Sequence, residues 1–418
     1  MNRQSIPQNW VVTELENQTE SFQNGIWGDD PIPGQTFPVI RSTEITYDNK
    51  IDLSGVRYRK IPQDKTGKYQ LFEGDILLVG SSGSIDLIGR PALFKQPKDG
   101  KAYFFSNFMV RLRPKNTNSN FLYYILNTNN YSNFLKTLQQ TSTGLRNLPK
   151  KEFLKFKILL PPLFEQRKIV EILSTIDEAI QKVEEITTKT ERLKRGLMEE
   201  LLTKGIGHKE FKNTEIGRIP KEWEVAKLGE IVEINKETKN PLIEFPDRKF
   251  LYIDIESVEN GTGIIKEAKE LLGKEAPSRA RRVIHYNDVV MSTVRPYLKA
   301  FAIIPQEYDN KICSTGFAVL TCKDYLLPIF LLHTLFSREI INQFNKIMIG
   351  GQYPALNESQ VAEIKIPLPQ LQEQQEISEI LSAVDKMLAQ KRARKEKLMK
   401  IKKGLMEDLL TGKVRVKV

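Results

Sequence analysis

Polar and basic side chains suited to reading nucleic-acid bases gather in a few short stretches of the sequence. Arginine pairs with guanine, and glutamine or asparagine with adenine, through paired hydrogen bonds in the major groove. Lysine and serine mostly hold phosphates. The candidate DNA-binding residues are Ser81, Ser82, Ser84, Arg90, Thr143, Arg146 and Asn147 in the first half, and Ser292, Arg295, Tyr297, Lys299, Gln352 and Tyr353 in the second. The alternative for any one of them is an ordinary polar loop residue.

Residue patterns for catalysis are much weaker. The sequence has no Gly-x-x-x-x-Gly-Lys-Ser/Thr phosphate loop, and its Pro-Pro pair lacks the Asn or Asp that amino-methyltransferases place before it. Glu363 and Lys365 could be half of a nuclease site, but a solvated strand edge explains such a pair better. Cys313, Cys322 and three scattered histidines fit no metal-ligand spacing. We therefore expect no catalytic residue, no cofactor and no metal in this chain, and binding remains as its chemistry.

One long stretch occurs twice and must position these loops. Residues 160–203 align without a gap with residues 368–411, and 20 of the 44 positions are identical. A period of 208 residues indicates a duplicated half-protein rather than a solenoid. Apolar residues recur at steps of three and four with no internal proline or glycine before the Gly-Leu-Met-Glu motif, which predicts a helix in each copy. About 38 helical residues would form a rod of about 57 Å.

The same periodicity predicts that the two helices pair as an antiparallel coiled coil. The predicted helix-pairing residues are Ile169, Ile176, Val183, Ile186 and Leu193 in the first helix, and Ile377, Val384, Leu398 and Ile401 in the second. The second helix is far more basic than the first. Charges beside the seam would therefore select partner and register more than they stabilise. The alternative for these basic residues is a solvated face or a nucleic-acid-binding tail.

The segments before and between the helices combine short strand-like runs, turn residues and one predicted helix each, at residues 119–138 and 326–345. We therefore expect an α+β fold in which two mixed α/β domains are separated by a long antiparallel two-helix coiled coil, with pseudo-two-fold symmetry. The expected domains are residues 1–159 and 211–366, and the expected helical spacers are residues 160–210 and 367–418.

The motif Ile-Pro-x-x-Trp shows that the repeat is circularly permuted relative to the chain. One copy, Ile219–Trp223, follows the first long helix, whereas the other, Ile6–Trp10, lies at the beginning of the sequence. In a closed two-fold arrangement, the last residues would return to residues 5–15. We therefore expect the two ends to be adjacent.

Composition bounds the partners and the compartment. A net charge of +11 and a pI near 9.3 suit a polyanionic partner. The first ten residues lack the apolar core of a secretory signal, and no apolar run approaches the roughly 18 residues of a membrane span. With cysteines that we expect to be reduced, these features predict a cytoplasmic protein without a membrane partner.

Several motifs carry a resemblance to a known family. They are the paired Leu-Pro-x-Leu-x-Glu-Gln-x-x-Ile (from Leu160 and from Leu368), the paired Gly-Leu-Met-Glu-x-Leu-Leu-Thr, the paired Ile-Pro-x-x-Trp, and Ser-Thr-Val-Arg-Pro from Ser292. In combination, and over essentially its whole length, the chain resembles the specificity (S) subunit of type I restriction-modification systems.

The resemblance implies a non-catalytic DNA-binding subunit with two target-recognition domains, each reading one half of a bipartite sequence. Its implied partners are double-stranded DNA, two methyltransferase subunits and, through them, restriction subunits. S-adenosylmethionine and ATP would belong to those partners. Two other classes stay open: a nuclease or methyltransferase with fused recognition domains, which predicts activity from this chain alone, and a protein-binding coiled-coil scaffold, which predicts no sequence-selective DNA footprint.

Overall fold

A computed structural model describes residues 6–33, 36–140, 147–347 and 355–416. The chain divides into two compact units. Unit 1 comprises Met1–Val183 and Arg394–Val418, and unit 2 comprises Glu184–Ala393. Each unit therefore contains one part of each long helix.

Unit 1 is a mixed α/β unit. Its strands are β1 Val11–Glu14, β2 Thr19–Asn24, β3 Phe37–Ile40, β4 Arg57–Arg59, β5 Ile76–Val79, β6 Pro91–Leu93, β7 Phe104–Phe105, β8 Met109–Pro114 and β9 Lys157–Leu160. Its helices are α1 Gln63–Tyr69, α2 Ser119–Ile125, α3 Asn129–Gln140, α4 Lys150–Leu154 and the first part of α5 Leu163–Lys204. Strands β2-β8-β5-β6 form an antiparallel sheet, β4-β3-β7 form a second sheet, and β1 pairs with β9.

Unit 2 repeats this plan. Its strands are β10 Phe211–Thr214, β11 Gly217–Pro220, β12 Glu224–Lys227, β13 Val232–Ile234, β14 Lys249–Ile253, β15 Lys269–Leu272, β16 Ala280–Ile284, β17 Val289–Ser292, β18 Phe301–Ile303, β19 Lys311–Ser314, β20 Phe317–Cys322 and β21 Lys365–Leu368. Its helices are α6 Leu228–Ile231, α7 Pro241–Glu244, α8 Pro328–Leu335, α9 Arg338–Ile347, α10 Glu358–Ala362 and the first part of α11 Leu371–Leu410. The sheet β13-β20-β17-β18 matches β2-β8-β5-β6, and β12 pairs with β21 as β1 pairs with β9.

The core of each unit includes the ends of both long helices. In unit 1, Leu173 of α5 and Leu409 of α11 are buried with Trp10 and Phe153. In unit 2, the cluster contains Leu201 and Leu202 of α5 and Ile377 and Leu381 of α11. Burying one such leucine fully contributes roughly 1.5–3 kcal/mol. The helices are therefore anchored in the cores of the mixed α/β units.

We predicted one helix before each long helix, and the structure has two helices in each of these places. In unit 1, α2 ends at Ile125 and α3 begins at Asn129, and in unit 2, α8 and α9 divide in the same way. The Thr128 hydroxyl accepts a hydrogen bond from the Tyr131 amide at 3.3 Å, which caps the second helix. Apolar periodicity alone did not reveal the break, because it continues from one helix into the next.

The two long helices are unbroken, as predicted: α5 has 42 residues and α11 has 40. In unit 2, Glu191 pairs with Arg392 at 3.3 Å, and Lys194, further along α5, pairs with Asp385, which comes earlier in α11, at 2.5 Å. The two helices therefore run antiparallel there, as predicted. Within the described residues, no helix is both long and apolar enough to cross a membrane.

The same direction holds in unit 1. Asp177 pairs with Lys402 at 2.6 Å, and Glu165, earlier in α5, pairs with Arg415, beyond the end of α11. Arg415 also donates to the backbone carbonyl of Gln8 at 3.1 Å. The last described residues thus return to the first ones, which confirms the predicted adjacency of the ends.

Candidate nucleic-acid interface

A rigid turn in unit 2 exposes two of the predicted DNA-binding side chains. It connects β17 to β18, and both Arg295 (φ 48°) and Lys299 (φ 59°) adopt the left-handed conformation. Such a conformation is uncommon for residues other than glycine and persists only where the surroundings impose it. Pro296 is buried between them, whereas Arg295 and Tyr297 are exposed. The turn therefore presents a guanidinium and a phenol ring to solvent from a fixed backbone.

Two other candidates of this stretch, Ser292 and Lys299, make contacts within the protein. Ser292 is buried, and its hydroxyl donates to the Val294 carbonyl at 2.7 Å, so its side chain is not presented to solvent here. The Lys299 ammonium donates to the Phe336 carbonyl at 2.9 Å, at the C-terminal end of α8. Burial, reinforced by the nearby Lys194, lowers the pKa of Lys299.

In unit 1, two of the predicted stretches meet. Ser81 forms an isolated bridge with Asn147, and its hydroxyl donates to the side-chain oxygen of Asn147. Val294 and Ala355 form the matching bridge in unit 2. The turn after β5 and the segment before α4 therefore lie together, as do their counterparts. Thr143, Arg146, Gln352 and Tyr353 lie outside the described residues.

The remaining candidates in unit 1 lie close by in the sequence. The Ser82 hydroxyl accepts a hydrogen bond from the Ser84 amide at 3.1 Å, which shapes the turn. The Arg90 guanidinium lies 5.4 Å from the centre of the Tyr47 ring, which is 94% exposed. Sequence reasoning missed Tyr47, and its only signal was an aromatic residue within a polar turn. An exposed aromatic ring beside an arginine is a typical stacking surface for bases.

The buried seam between the long helices follows a strict alternation of three and four residues. On α5 it comprises Gln166, Ile169, Leu173, Ile176, Ile180, Val183, Thr187, Thr190, Lys194, Leu197 and Leu201, and on α11 it comprises the residues 208 positions later. Of the predicted helix-pairing residues, Ile169, Ile176, Val183, Ile377, Val384 and Leu398 belong to this seam.

Three predicted helix-pairing residues do not belong to the seam. Ile186, Leu193 and Ile401 are 43%, 54% and 41% exposed. The prediction was wrong there because the adjacent seam position is polar, as with Thr187 and Lys194, so an apolar pattern selected the neighbour instead.

Two lysines of the seam, Lys194 and Lys402, are neutralised in the same way in the two units. Lys194 pairs with Asp385 in unit 2, and Lys402 pairs with Asp177 in unit 1, and both members of each pair are 208 residues from their counterparts. Removing one partner of a part-buried ion pair leaves an uncompensated charge. The two pairs therefore select one antiparallel register in each unit.

The Glu-Gln motif at the start of each long helix anchors that helix. Glu165 accepts a hydrogen bond from the Trp10 indole at 3.0 Å, and Glu373 accepts one from the Trp223 indole at 2.7 Å. These contacts explain why Ile-Pro-x-x-Trp recurs. The next residue acts similarly, since Gln166 accepts from the Asn118 amide at 2.9 Å, as Gln374 does from the Leu327 amide.

Comparison with known proteins identifies the family. The family of type I restriction modification DNA specificity domains matches the chain twice, over residues 8–192 and 220–400. The chain belongs to this family.

Curated relatives are type I specificity subunits. The chain is 34% identical to the type I restriction enzyme MjaVIII specificity subunit of Methanocaldococcus jannaschii over 76% of each chain. It is 30% identical to the putative MjaX specificity subunit of the same organism, over 99% of this chain and 95% of the relative. These relatives, together with the paired family match, establish that this member is a specificity subunit.

Solved structures support the fold. The S subunit of a type I restriction-modification system from M. genitalium shares 15% identity with a TM-score of 0.58, covering 98% of both chains. A chain from a structural study of assembly and conformational transition in the type I R-M system shares 17% identity with a TM-score of 0.56, covering 98% of this chain and all of that one.

A second apolar stripe distinguishes the helix pair of this specificity subunit from a simple two-helix coil. Its residues lie one position before a seam position, and those that are exposed and large are Ile172, Ile186 and Leu193 on α5, and Ile380, Met387 and Ile401 on α11. In antiparallel pairing, heptad geometry places Leu193 and Met387 on the same side in unit 2. Among the described residues, no cluster of histidine, cysteine and acidic side chains could hold a metal ion.

Proposed function

We propose that this specificity subunit reads a bipartite DNA sequence, with one half-site for each recognition domain, residues 1–159 and 211–366. The observation that carries the proposal is that the same sheet order recurs in both units while the turns at its edge differ. In unit 2 that turn presents Arg295 and Tyr297, and in unit 1 it pairs Ser81 with Asn147. One scaffold with two different sets of base-reading groups suits two different half-sites.

The helical spacers, residues 160–210 and 367–418, set the distance between the half-sites in this proposal. An unbroken helix of 42 residues is about 63 Å long. That length corresponds to roughly 18 base pairs of duplex at 3.4 Å each. Half-sites whose centres lie about one helical turn apart face the same side of the duplex, and that distance lies within the span of the helices.

The chain itself is non-catalytic in this proposal and works with two methyltransferase subunits and, through them, restriction subunits. The exposed apolar stripe supports a docking role for the helices, because large apolar residues at a period of seven suit a further helix. Free cysteines at positions 313 and 322 fit a reducing compartment, so the proposal includes a cytoplasmic location.

The test combines genome-wide mapping of methylated bases in the host with footprinting of the purified complex on the sequence so found. We expect a bipartite sequence, and we expect that exchanging residues 1–158 for another recognition domain changes only one half of it. Cleavage or methylation by the chain alone would favour a fused enzyme instead. Absence of a sequence-selective footprint would favour a protein-binding scaffold.

A further inference from the structure

A cavity in unit 2 lies between the helix pair and the turn that carries Arg295. Its volume is about 560 Å³. The cationic side chains that line it are Lys194, Arg195, Lys299, Lys386 and Arg392. The acidic ones are Glu191 and Asp385. The lining thus combines residues of α5 and α11 with a residue of the recognition turn itself.

Only two of these five cations are neutralised by the acidic residues. Lys194 pairs with Asp385 at 2.5 Å, and Arg392 pairs with Glu191 at 3.3 Å. Within the described part of the chain, Arg195 and Lys386 have no ion-pair partner. Lys299 donates to a neutral carbonyl, that of Phe336. The cavity therefore has an excess of positive charge.

Hydrogen bonds hold Lys299 next to the other cations of the cavity. Its carbonyl accepts a hydrogen bond from the Gly261 amide at 2.8 Å, while its ammonium is bonded to Phe336. Its left-handed backbone is part of the same rigid turn. Burial and the proximity of Lys194 both lower the pKa of Lys299, since each disfavours its charged form. An anion in the cavity would favour the charged form and so oppose both effects.

We propose that this cavity is a phosphate-binding site that receives a backbone phosphate of the bound duplex. Arg195 and Lys386 reach in from the helices, and Lys299 contributes a charge from the turn. A phosphate held here would fix the position of Arg295 and Tyr297 on the bases, because phosphate contacts set register while base contacts read sequence. The inference rests on the proposed DNA-reading function. Free polyphosphate shares the same chemistry and is the other source of such an anion.

The site leaves the apolar stripe accessible. Glu191 and Arg392 flank the seam on one side, at the heptad position after it, whereas Leu193 and Met387 precede the seam on the other side. In an antiparallel pair these positions lie on opposite flanks. A duplex in the cavity and a protein on the stripe could therefore be bound at the same time.

The test measures how affinity depends on salt. The full chain, in complex with its methyltransferase subunits, is titrated with a duplex carrying the mapped sequence at several salt concentrations. Each phosphate neutralised contributes about −0.9 to the slope of log K against log salt. We expect Arg195→Gln/Lys386→Gln to reduce the magnitude of that slope by about 1, the contribution of the one phosphate. Both side chains are exposed, so the double variant should fold normally.

The matched control is Lys209→Gln/Arg248→Gln, which removes two exposed cations of the same unit that do not line the cavity. We expect its slope to equal that of the unaltered protein. Calorimetry with inorganic tripolyphosphate separates the two sources of phosphate. If the cavity variant abolishes tripolyphosphate binding but leaves the salt slope for DNA unchanged, the site binds a free polyphosphate.

An unchanged slope together with no tripolyphosphate binding overturns the proposal. If the unaltered complex still gave a sequence-selective footprint in that case, the proposed function would stand. A missing footprint for the unaltered complex would instead count against the function itself. The two failures are therefore distinguishable.

Discussion

The guanidinium of Arg415 holds the carboxylate of Glu165 through two hydrogen bonds of 2.7 and 2.9 Å, although 250 residues separate them in the sequence. Glu165 is fully buried, and its other hydrogen bond comes from Trp10. Arg415→Ala would leave a buried charge without its cation, which is destabilising. We expect a lower melting temperature for unit 1 in differential scanning calorimetry.

Lys413→Ala is the matched control for this change. Lys413 is two residues earlier and pairs with Asp408 on the surface, where an ion pair contributes little. Its melting temperature should be unchanged. If the two variants melted alike, the link between Arg415 and Glu165 would not hold unit 1 together.

The register of the seam can be tested by substituting neighbours. Leu173 and Leu381 are fully buried at equivalent seam positions, whereas Ile172 and Ile380 precede them and are exposed. Leu173→Ala and Leu381→Ala should each cost about 2–5 kcal/mol in free energy of unfolding. Ile172→Ala and Ile380→Ala should each cost less, about 1 kcal/mol, because more than a third of each side chain stays exposed to water. Urea denaturation measures both, and a reversed order would contradict the seam.

The sequence predicted the helices well because their signals are repeated and local. Unbroken periodicity and the internal repeat were enough for α5, α11 and their pairing. The predicted seam was wrong where Thr187, Thr190 and Lys194 occupy it. A lysine at such a position is explained only by its partner on the other helix, which for Lys194 is Asp385. The residue pattern of one helix does not show which acidic residue of the other helix will be that partner.

Residue type alone did not predict which of the candidate side chains are exposed. Arg295 and Tyr297 were found from residue type and are exposed, but Ser292 carries the same kind of group and is buried. A hydroxyl suits a phosphate and a backbone carbonyl equally well, so only the fold decides between them. Tyr47 was missed because its partner Arg90 lies 43 positions away in the sequence.

The stability of unit 2 should depend on pH through His333. Burial lowers the pKa of this histidine from 6.5 to about 4, an effect that Asp385 opposes and Lys194 reinforces. The unfolded chain therefore takes up a proton first as the pH falls. The free energy of unfolding should have its full value above pH 6.5 and should decline by roughly 3 kcal/mol between pH 6.5 and 4.

His333→Gln should flatten this decline, because glutamine does not titrate in that range. His285→Gln, which removes a more exposed histidine of the same unit, should leave it in place. Urea denaturation at a series of pH values measures both. Equal slopes for unaltered protein and His333→Gln would assign the pH dependence to other groups.

The stripe should be required for assembly and not for folding. Ile186→Asp and Leu193→Asp place charges on an exposed apolar surface of unit 2. We expect stability to fall by no more than about 1 kcal/mol and co-purification with the methyltransferase subunit to fall sharply. Thr188→Asp, exposed on α5 at a position that does not precede the seam, is the control and should retain the partner. Normal assembly of the stripe variants would exclude this surface as the docking site.

The spacer role predicts how half-site spacing responds to helix length. Removing residues 184–190 from α5 and 389–395 from α11 deletes one heptad from each. It also shortens the Asp177-to-Lys194 and Asp385-to-Lys402 intervals equally, so both lysine–aspartate pairs can re-form. Seven residues of helix are about 10.5 Å long, or roughly three base pairs. The preferred spacing in the methylated sequence should fall by about that amount, as read by methylation mapping of cells carrying the shortened subunit.

Deleting a heptad from α5 alone should abolish methylation, because the two pairs could no longer form together. An unaltered spacing in the doubly shortened protein would show that the helices do not set it.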